Sequence, residues 1–456
     1  MADATSMSPL VAVLAELGWK PEVLARRLNN FAAMHGRGER LHIKTPYKWL
    51  HGTEPHSPWP ALAAALMTGE LGRLITPAEL GWRKDVIEAL SAIGGLVLPW
   101  TVAGSLHAIR VVSDPGNMDR RIFITLLGAG ASAPAHEGLL ARPDTVLAKS
   151  SGRSVPMTIV DQFDDVTAQL RRMDDQLGGA LVLPMVRDQL RHVLRVLDQR
   201  SYTDTIGRRL HAAAELMRLA GTLAFDGSHH PQAQRYWIAA LHAAHAAGDR
   251  ALGANIVGFM SEQAKLLGQI RAAVTLAETA RTGYPGATPR VAALCNLRAA
   301  QAYAYDQATT ECHRALNTAF DQLGDPPSSW GEPAWCYWLD EADAHTQAGN
   351  CYLQLQDWNR ACHHYHAALR LQDPSYVREN ARRHIKLATT YLLQGQPEVD
   401  HAIALATPAV DALTNQVSSA RVVSHLARFV GHLGPYRRRP AVRELTDRAA
   451  GLLASA

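Results

Sequence analysis

The sequence predicts an all-α protein in which a small N-terminal helical domain precedes a long α-solenoid, and three observations carry that expectation. Five stretches, beginning near Gly221, Ser261, Ala300, Gly349 and Ala388 and separated by 40, 39, 49 and 39 residues, repeat one order of small and bulky side chains. A repeat of that length is one supersecondary unit, which buries its apolar face only by stacking on its neighbours. Alanine and leucine recur at helical spacing in a chain that is 47% hydrophobic and 19% charged, so helix formers dominate the segments between turns. At 456 residues the chain has room for about two or three domains, and the rhythm of its apolar residues changes near residue 100.

Residues 1–98 make the first domain. Leu10, Val13, Leu14 and Leu17 form one apolar stripe and Val23, Leu24, Leu28 and Phe31 the next. Lys44-Thr-Pro-Tyr-Lys-Trp-Leu-His-Gly52 then reads as a short helix bounded by its own chemistry. Thr45 suits the N-cap, Pro46 the first helical position, and Gly52 the left-handed position beyond the end. Trp49 and Leu50 face a core, because so short a helix must anchor one side. Trp59-Pro60 and Thr76-Pro77 offer two further helix starts. This order resembles the helix-turn-helix domains of the phage-repressor-like, or XRE, class. Leu24-Ala25 match the first helix of the motif, Ile43 its turn, Thr45 to Gly52 the recognition helix, and Leu62, Ala63 and Leu66 the stripe that follows. Asn29 to His42 is longer than the tight turn usual in that class. The resemblance implies that Lys44, Thr45, Tyr47 and Lys48 contact bases or nearby phosphates in the major groove of double-stranded DNA. Lys20, Arg26, Arg37 and Arg40 would supply sequence-independent attraction to phosphate.

Residues 99–160 read as a linker. Within it Asp119-Arg-Arg-Ile-Phe to Ala133 looks like an export signal, but lies too far into the chain to act as an N-terminal address, and an interdomain helix with a flexible joint is expected instead. No apolar run reaches the length of a membrane span, so no membrane is expected.

Residues 161–456 form the array with C-terminal capping helices. Its clearest copy is Gly349, Tyr352, Ala361, Tyr365 and Ala368 with Pro374 beyond; Gly221, Ala224, Ala233, Trp237 and Ala240 keep the same register. Small residues let paired helices approach while an aromatic ring fills the space between them. The long step of 49 residues is explained by an inserted turn-rich loop, Gly324 to Pro333, and Asp400 stands where the fifth copy expects a small residue. The pattern resembles the tetratricopeptide repeat. Carrying that register onto the chain selects groove-facing residues unit by unit. They are Glu215, Arg218 and Thr222; then Asn255, Glu262 and Lys265; then Gln301 and Tyr305; then Asp343, Thr346, Asn350 and Gln354; and finally Arg382 and Thr389. Such amide and charged groups suit an extended peptide, whose backbone needs partners on leaving water.

Helix-turn-helix, linker and repeats in this order resemble the peptide-sensing regulators of Gram-positive bacteria, and more closely the actinobacterial regulators that join an XRE-type domain to such repeats. The resemblance implies a DNA-binding transcriptional regulator, a peptide or small-molecule effector in the repeat groove, and a cytoplasmic homodimer. The alternative is a protein-interaction scaffold with a degenerate helix-turn-helix. A net charge of +4 neither demands nucleic acid nor excludes it. Five irregularly spaced cysteines argue against a disulfide framework and for a reducing compartment. No nucleophile motif, phosphate-binding loop or paired-carboxylate arrangement appears, so neither enzymatic activity nor a cofactor is expected. Cys362 and His366 share a helix face but lack the further ligands of a metal site. Asp161, Asp164, Asp165, Asp174 and Asp175 read as an acidic cluster near a helix start, favoured by the helix dipole.

Overall fold

The computed structural model describes residues 9–34, 40–56, 59–71, 75, 79–82, 98, 100–113, 153–177, 179–205, 207, 209, 214–325, 331–415 and 419–454. Among them lie 19 α-helices and a single parallel pairing of Arg153–Ser154 with Arg200–Ser201, so the fold is all-α.

Four helices build the head: α1 (Pro9–Glu16), α2 (Pro21–Met34), α3 (Thr45–Leu50) and α4 (Trp59–Leu71). Leu10 and Leu14, Leu24 and Leu28, and Leu62 and Met67 bury one face of α1, α2 and α4 in a common cluster. Trp49 anchors α3 in it, its ring meeting that of Trp82 edge-on with centroids 5.5 Å apart. The extra length after Asn29 is partly helical, since α2 continues to Met34. The Asn29 amide then holds the returning chain, donating to the Leu41 carbonyl at 2.9 Å and accepting from the Leu41 N–H at 2.7 Å. The expected cap at Thr45 is not formed. Lys44 occupies the N-cap and makes no side-chain cap bond, because the Thr45 N–H already donates to the His42 carbonyl at 2.8 Å and the turn begins one residue early. The other end is as expected: Gly52 has φ +88°, and the Gly52 and Thr53 N–H groups close onto the carbonyls of Trp49 and Lys48.

Three helices precede the repeats: α5 (Val102–Ser113), α6 (Met157–Leu177) and α7 (Gly179–Gln199). Within the segment read as a linker, α5 packs on α7, and Trp100 stacks on His242 with centroids 4.0 Å apart. Residues 114–152, which include the segment from Asp119 to Ala133, lie outside the described residues. Five helix pairs follow. They are α8 (Ala214–Asp226) with α9 (His230–Ala247), α10 (Arg250–Leu266) with α11 (Ile270–Thr282), α12 (Pro289–Tyr305) with α13 (Thr309–Gly324), α14 (Glu341–Gln354) with α15 (Trp358–Leu371), and α16 (Val377–Leu393) with α17 (Val399–Asn415). The stack ends in α18 (Ala420–His432) and α19 (Pro440–Ala454).

The repeated small residues are explained by direct contact. A Cβ on Gly221 would sit 2.3 Å from Nε1 of Trp237, and one on Gly349 would sit 2.9 Å from the Tyr365 ring. Ser261 occupies the equivalent place, and its hydroxyl donates to the Ala273 carbonyl at 2.7 Å. Seven residues after each of the first four markers the backbone turns left-handed, at Ser228, Gly268, Gln307 and Gln356, with φ of 60°, 75°, 60° and 61°. The fifth pair differs because its turn, from Leu393 to Val399, is two residues longer than the turn from Gln354 to Trp358. Ala402 is therefore buried in the pair, whereas Asp400 is exposed and meets Arg439 at 3.1 Å. The inserted segment after α13 also has structural work. The Glu332 carboxylate accepts from the Arg290 N–H at 3.1 Å and from the Thr288 hydroxyl, which fixes the start of α12.

Candidate functional site: the inner channel of the array

The first helix of each pair packs on the next, from α8 through α10, α12 and α14 to α16, and these helices form the inner face. That face is closed into a channel by α6, which reaches α16. The Arg378 guanidinium donates to both the carbonyl and the carboxylate of Asp174 at 3.2 Å, and the Tyr337 hydroxyl donates to Asp175. Asp174 and Asp175 thus lie in the last turn of α6, not near a helix start as expected. The dipole opposes them there, and the arginine and tyrosine opposite hold them. At the beginning of α6, Asp161 and Asp164 pair with Arg209.

The channel has two lobes, of about 180 Å³ and about 230 Å³, and Asp226, Glu262, Gln301, Asn350, Arg382 and Arg421 line both. In the first lobe most of the charges are matched. Arg171 and Arg218 meet Glu215, Arg298 meets Glu262 at 3.2 Å, and Arg421 meets Asp226 at 3.4 Å. Burial alone would raise the buried carboxyls, but Arg382, Arg421 and Arg378 overcome it and hold Glu379 down to about 2. Lys265 and Arg298 do the same for Glu262, also down to about 2. A relay of amides crosses three helices: Lys265 donates to Gln301 at 2.5 Å, Gln301 to Gln347 at 2.8 Å, and Gln347 to Asp343. Asn350 is held for both lobes by the Tyr365 hydroxyl, which donates to its amide oxygen at 2.8 Å. The aromatic ring that sets the helix pair thereby also sets a channel amide.

The second lobe is cationic. Lys265, Arg382, Lys386, Arg421 and Arg428 line it, with His425 between them and only Asp226 and Glu262 as carboxylates. Burial, then Arg428, Arg382 and Lys265, push the Lys386 ammonium down to about 7, and burial with Lys386 holds His425 far below its ordinary value.

Of the fourteen residues expected to face the groove, ten line these lobes: Arg218, Thr222, Glu262, Lys265, Gln301, Tyr305, Asp343, Asn350, Gln354 and Arg382. Four do not. Glu215 pairs with Arg171, and the Thr389 hydroxyl donates to the Ile385 carbonyl. Asn255 is buried one turn before Phe259, where α10 first reaches the lobe, and Thr346 is buried with its hydroxyl donating to the Ala342 carbonyl and accepting from Arg383. The register did not reach Arg378 and Glu379, which lie at the start of α16, nor Arg421 and Arg428, because α18 stands outside the repeat pattern. It also missed Trp335 and Tyr337, which follow the inserted loop and line the first lobe. The available signal was helical spacing: Arg382 with Lys386, and Arg421 with His425 and Arg428, fall on one face each.

On the head, Lys20, Arg26, Arg40, Lys44, Tyr47 and Lys48 are exposed and Thr45 is half-buried, while Arg37 lies outside the described residues. The Tyr47 hydroxyl donates to Glu22 of α2, which lowers the Glu22 carboxyl and raises the Tyr47 phenol. All five cysteines are free thiols. His366 meets the Tyr391 hydroxyl at 2.9 Å, and among the described residues no three potential metal ligands gather. No helix among them is long and apolar enough to cross a membrane.

A family model described as the SP15 N-terminal domain matches residues 10–83, the stretch that contains the head helices. No curated protein matches the chain. Among solved structures, the chain is similar to a Signal Transduction ATPase with Numerous Domains (STAND) protein with a tetratricopeptide repeat sensor from Pyrococcus horikoshii. The identity is 9% and the TM-score 0.35, over 100% of this chain and 66% of that one.

Proposed function

We propose that the protein is a cytoplasmic, XRE-like DNA-binding transcriptional regulator, acting as a homodimer and without enzymatic activity, whose array receives an effector in its inner channel. The observation that carries the DNA reading is the division of α3. Pro46 and Trp49 are buried, so the helix is fixed to the head, and Lys44, Tyr47 and Lys48 are left exposed on the remainder. A short helix anchored on one side and cationic on the other is suited to a major groove flanked by phosphates. The channel supports the sensing half through its many fixed polar groups. Each lobe is smaller than the roughly 300 Å³ at which drug-sized pockets begin, so a compact ligand or a peptide end suits this closed form better than a long extended peptide.

Anisotropy of a labelled duplex tests the head. Binding of the wild-type protein should weaken with salt, and Lys44→Ala with Lys48→Ala should lower the slope of log affinity against log salt by about two, one per lost phosphate contact. An unchanged slope would remove α3 from the interface. The scaffold reading has one observation in its favour, the tie between Tyr47 and Glu22, which places a carboxylate beside the proposed reading face. It gains if Glu22→Gln leaves duplex affinity unchanged and the slope is also unmoved by the lysine changes.

A further inference from the structure

We infer that the second lobe is a site for a dianionic phosphate group carried by a small ligand. The inference rests on the reading of the channel as a receptor and names the chemistry of what it receives. Three helices deliver the cations: Lys265 from α10, Arg382 and Lys386 from one face of α16, and Arg421 and Arg428 from one face of α18. Three of the five already have carboxylates. Lys265 meets Glu262 at 2.7 Å, Arg421 meets Asp226 at 3.4 Å, and Arg382 meets Glu379 behind the lobe wall. Two are left over. Among the described residues, the Lys386 ammonium and the Arg428 guanidinium form no hydrogen bond or ion pair, although both line the same cavity of about 230 Å³.

The count selects the ligand class. The Arg428 charge, with a Lys386 ammonium that is about half protonated near pH 7 in the empty lobe and that a bound anion would raise again, matches a phosphate monoester, which carries about −1.5 to −2 at neutral pH, better than a single carboxylate. The geometry suits it as well, since guanidinium groups offer planar, paired donors to phosphate oxygens and lysine adds a compact point charge. The Tyr305 ring lines the lobe 5.1 Å from the Lys265 ammonium, so an apolar body attached to the phosphate has a surface to lie against. Without an anion the arrangement is unfavourable. Like charges are held together in a partly desolvated space, and burial first, then the repulsion of Arg428, Arg382 and Lys265, depresses the Lys386 ammonium.

Titration calorimetry with inorganic phosphate near neutral pH, and with acetate in parallel, tests the site. Phosphate should bind the full-length protein saturably; Lys386→Met should weaken it by about 30-fold, the lower end of what removing one partner of a buried charge pair costs, and Arg428→Gln, whose guanidinium is exposed, by about 3- to 5-fold. Arg428 is exposed and Lys386→Met removes a repelled charge, so both variants should keep the wild-type circular dichroism and denaturation midpoint or exceed them. No saturable phosphate binding up to about tens of millimolar, or binding unchanged in both variants, would overturn the site. Acetate binding as tight as phosphate would overturn the dianion. If phosphate fails while duplex binding by the head persists, this inference falls alone. If duplex binding fails while phosphate binds, the regulator reading falls and the site stands.

Discussion

The two lobes of the channel share six residues, yet they treat charge in opposite ways. In the first, arginines and carboxylates alternate and most guanidinium groups have a carboxylate partner, as Arg378 has Asp174 and Arg298 has Glu262, while Arg383 reaches the Thr346 hydroxyl. In the second, Lys386 and Arg428 face the cavity without a carboxylate. The difference teaches what each set is for. Matched buried pairs fix one geometry, here the closure of α6 on α16, and they are strongly destabilising to break even where they add little to net stability. Unmatched charges oppose the fold that holds them, and they are the natural place for a ligand's charge.

The largest effect should come from breaking the matched side. Arg378→Met leaves Asp174 buried without its partner and should cost about 3–5 kcal/mol, read from the urea midpoint. A change of less than about 1 kcal/mol would mean that water already serves Asp174 and that the closure is loose. Next comes the residue that supports both lobes. Gly349→Ala places a methyl group 2.9 Å from the Tyr365 ring, which holds Asn350, and should cost about 1–3 kcal/mol.

The unmatched side should respond with the opposite sign. Lys386→Met should stabilise the protein by about 1 kcal/mol, a modest figure because the side chain is only half-buried. Its groups in contact or nearby are Lys265 and Glu262 of α10, Arg382 of α16, and His425 and Arg428 of α18. The folded chain releases the Lys386 proton near 7 and the unfolded chain near 10.5, so wild-type stability gains as pH rises through that interval. The advantage of Lys386→Met should therefore be greatest below pH 7 and fade toward 10.5; an advantage independent of pH would assign it to packing instead.

The acid response of the matched side is a separate test. Glu379 is held down to about 2 against an ordinary 4.5. Its contribution is present in full above 4.5 and is lost as pH falls toward about 2, where the folded state must also accept the proton. Between pH 5 and pH 3, Glu379→Gln should lose less stability than the wild type. Equal losses would place the acid-sensitive group elsewhere.

Much of this was legible in the sequence, and the limits have physical causes. The helix pairs were readable because a glycine that admits Trp237 or Tyr365 leaves a fixed interval, and ten channel residues followed from that interval. Thr346 failed because the register gives a helix face but not the neighbour that covers it, here Arg383. Asp174 and Asp175 were misplaced because their partner, Arg378, lies 204 residues away from Asp174, and local spacing reports only local partners. The cations of α18 were missed because that helix belongs to no repeat. Thr45 was read as a cap on residue type alone, whereas the backbone bond to His42 decides where α3 begins.

The central claim joins a DNA-reading head to a ligand-receiving channel, and the most direct test is to sequence what the protein retains from fragmented genomic DNA of its source at roughly physiological salt, where non-specific phosphate attraction is reduced. The account expects the wild-type protein to enrich a recurring two-fold site and the Tyr47→Ala, Lys48→Ala double variant to lose it while keeping phosphate binding in the second lobe. No enriched site, or the same site retained by the double variant, would contradict it.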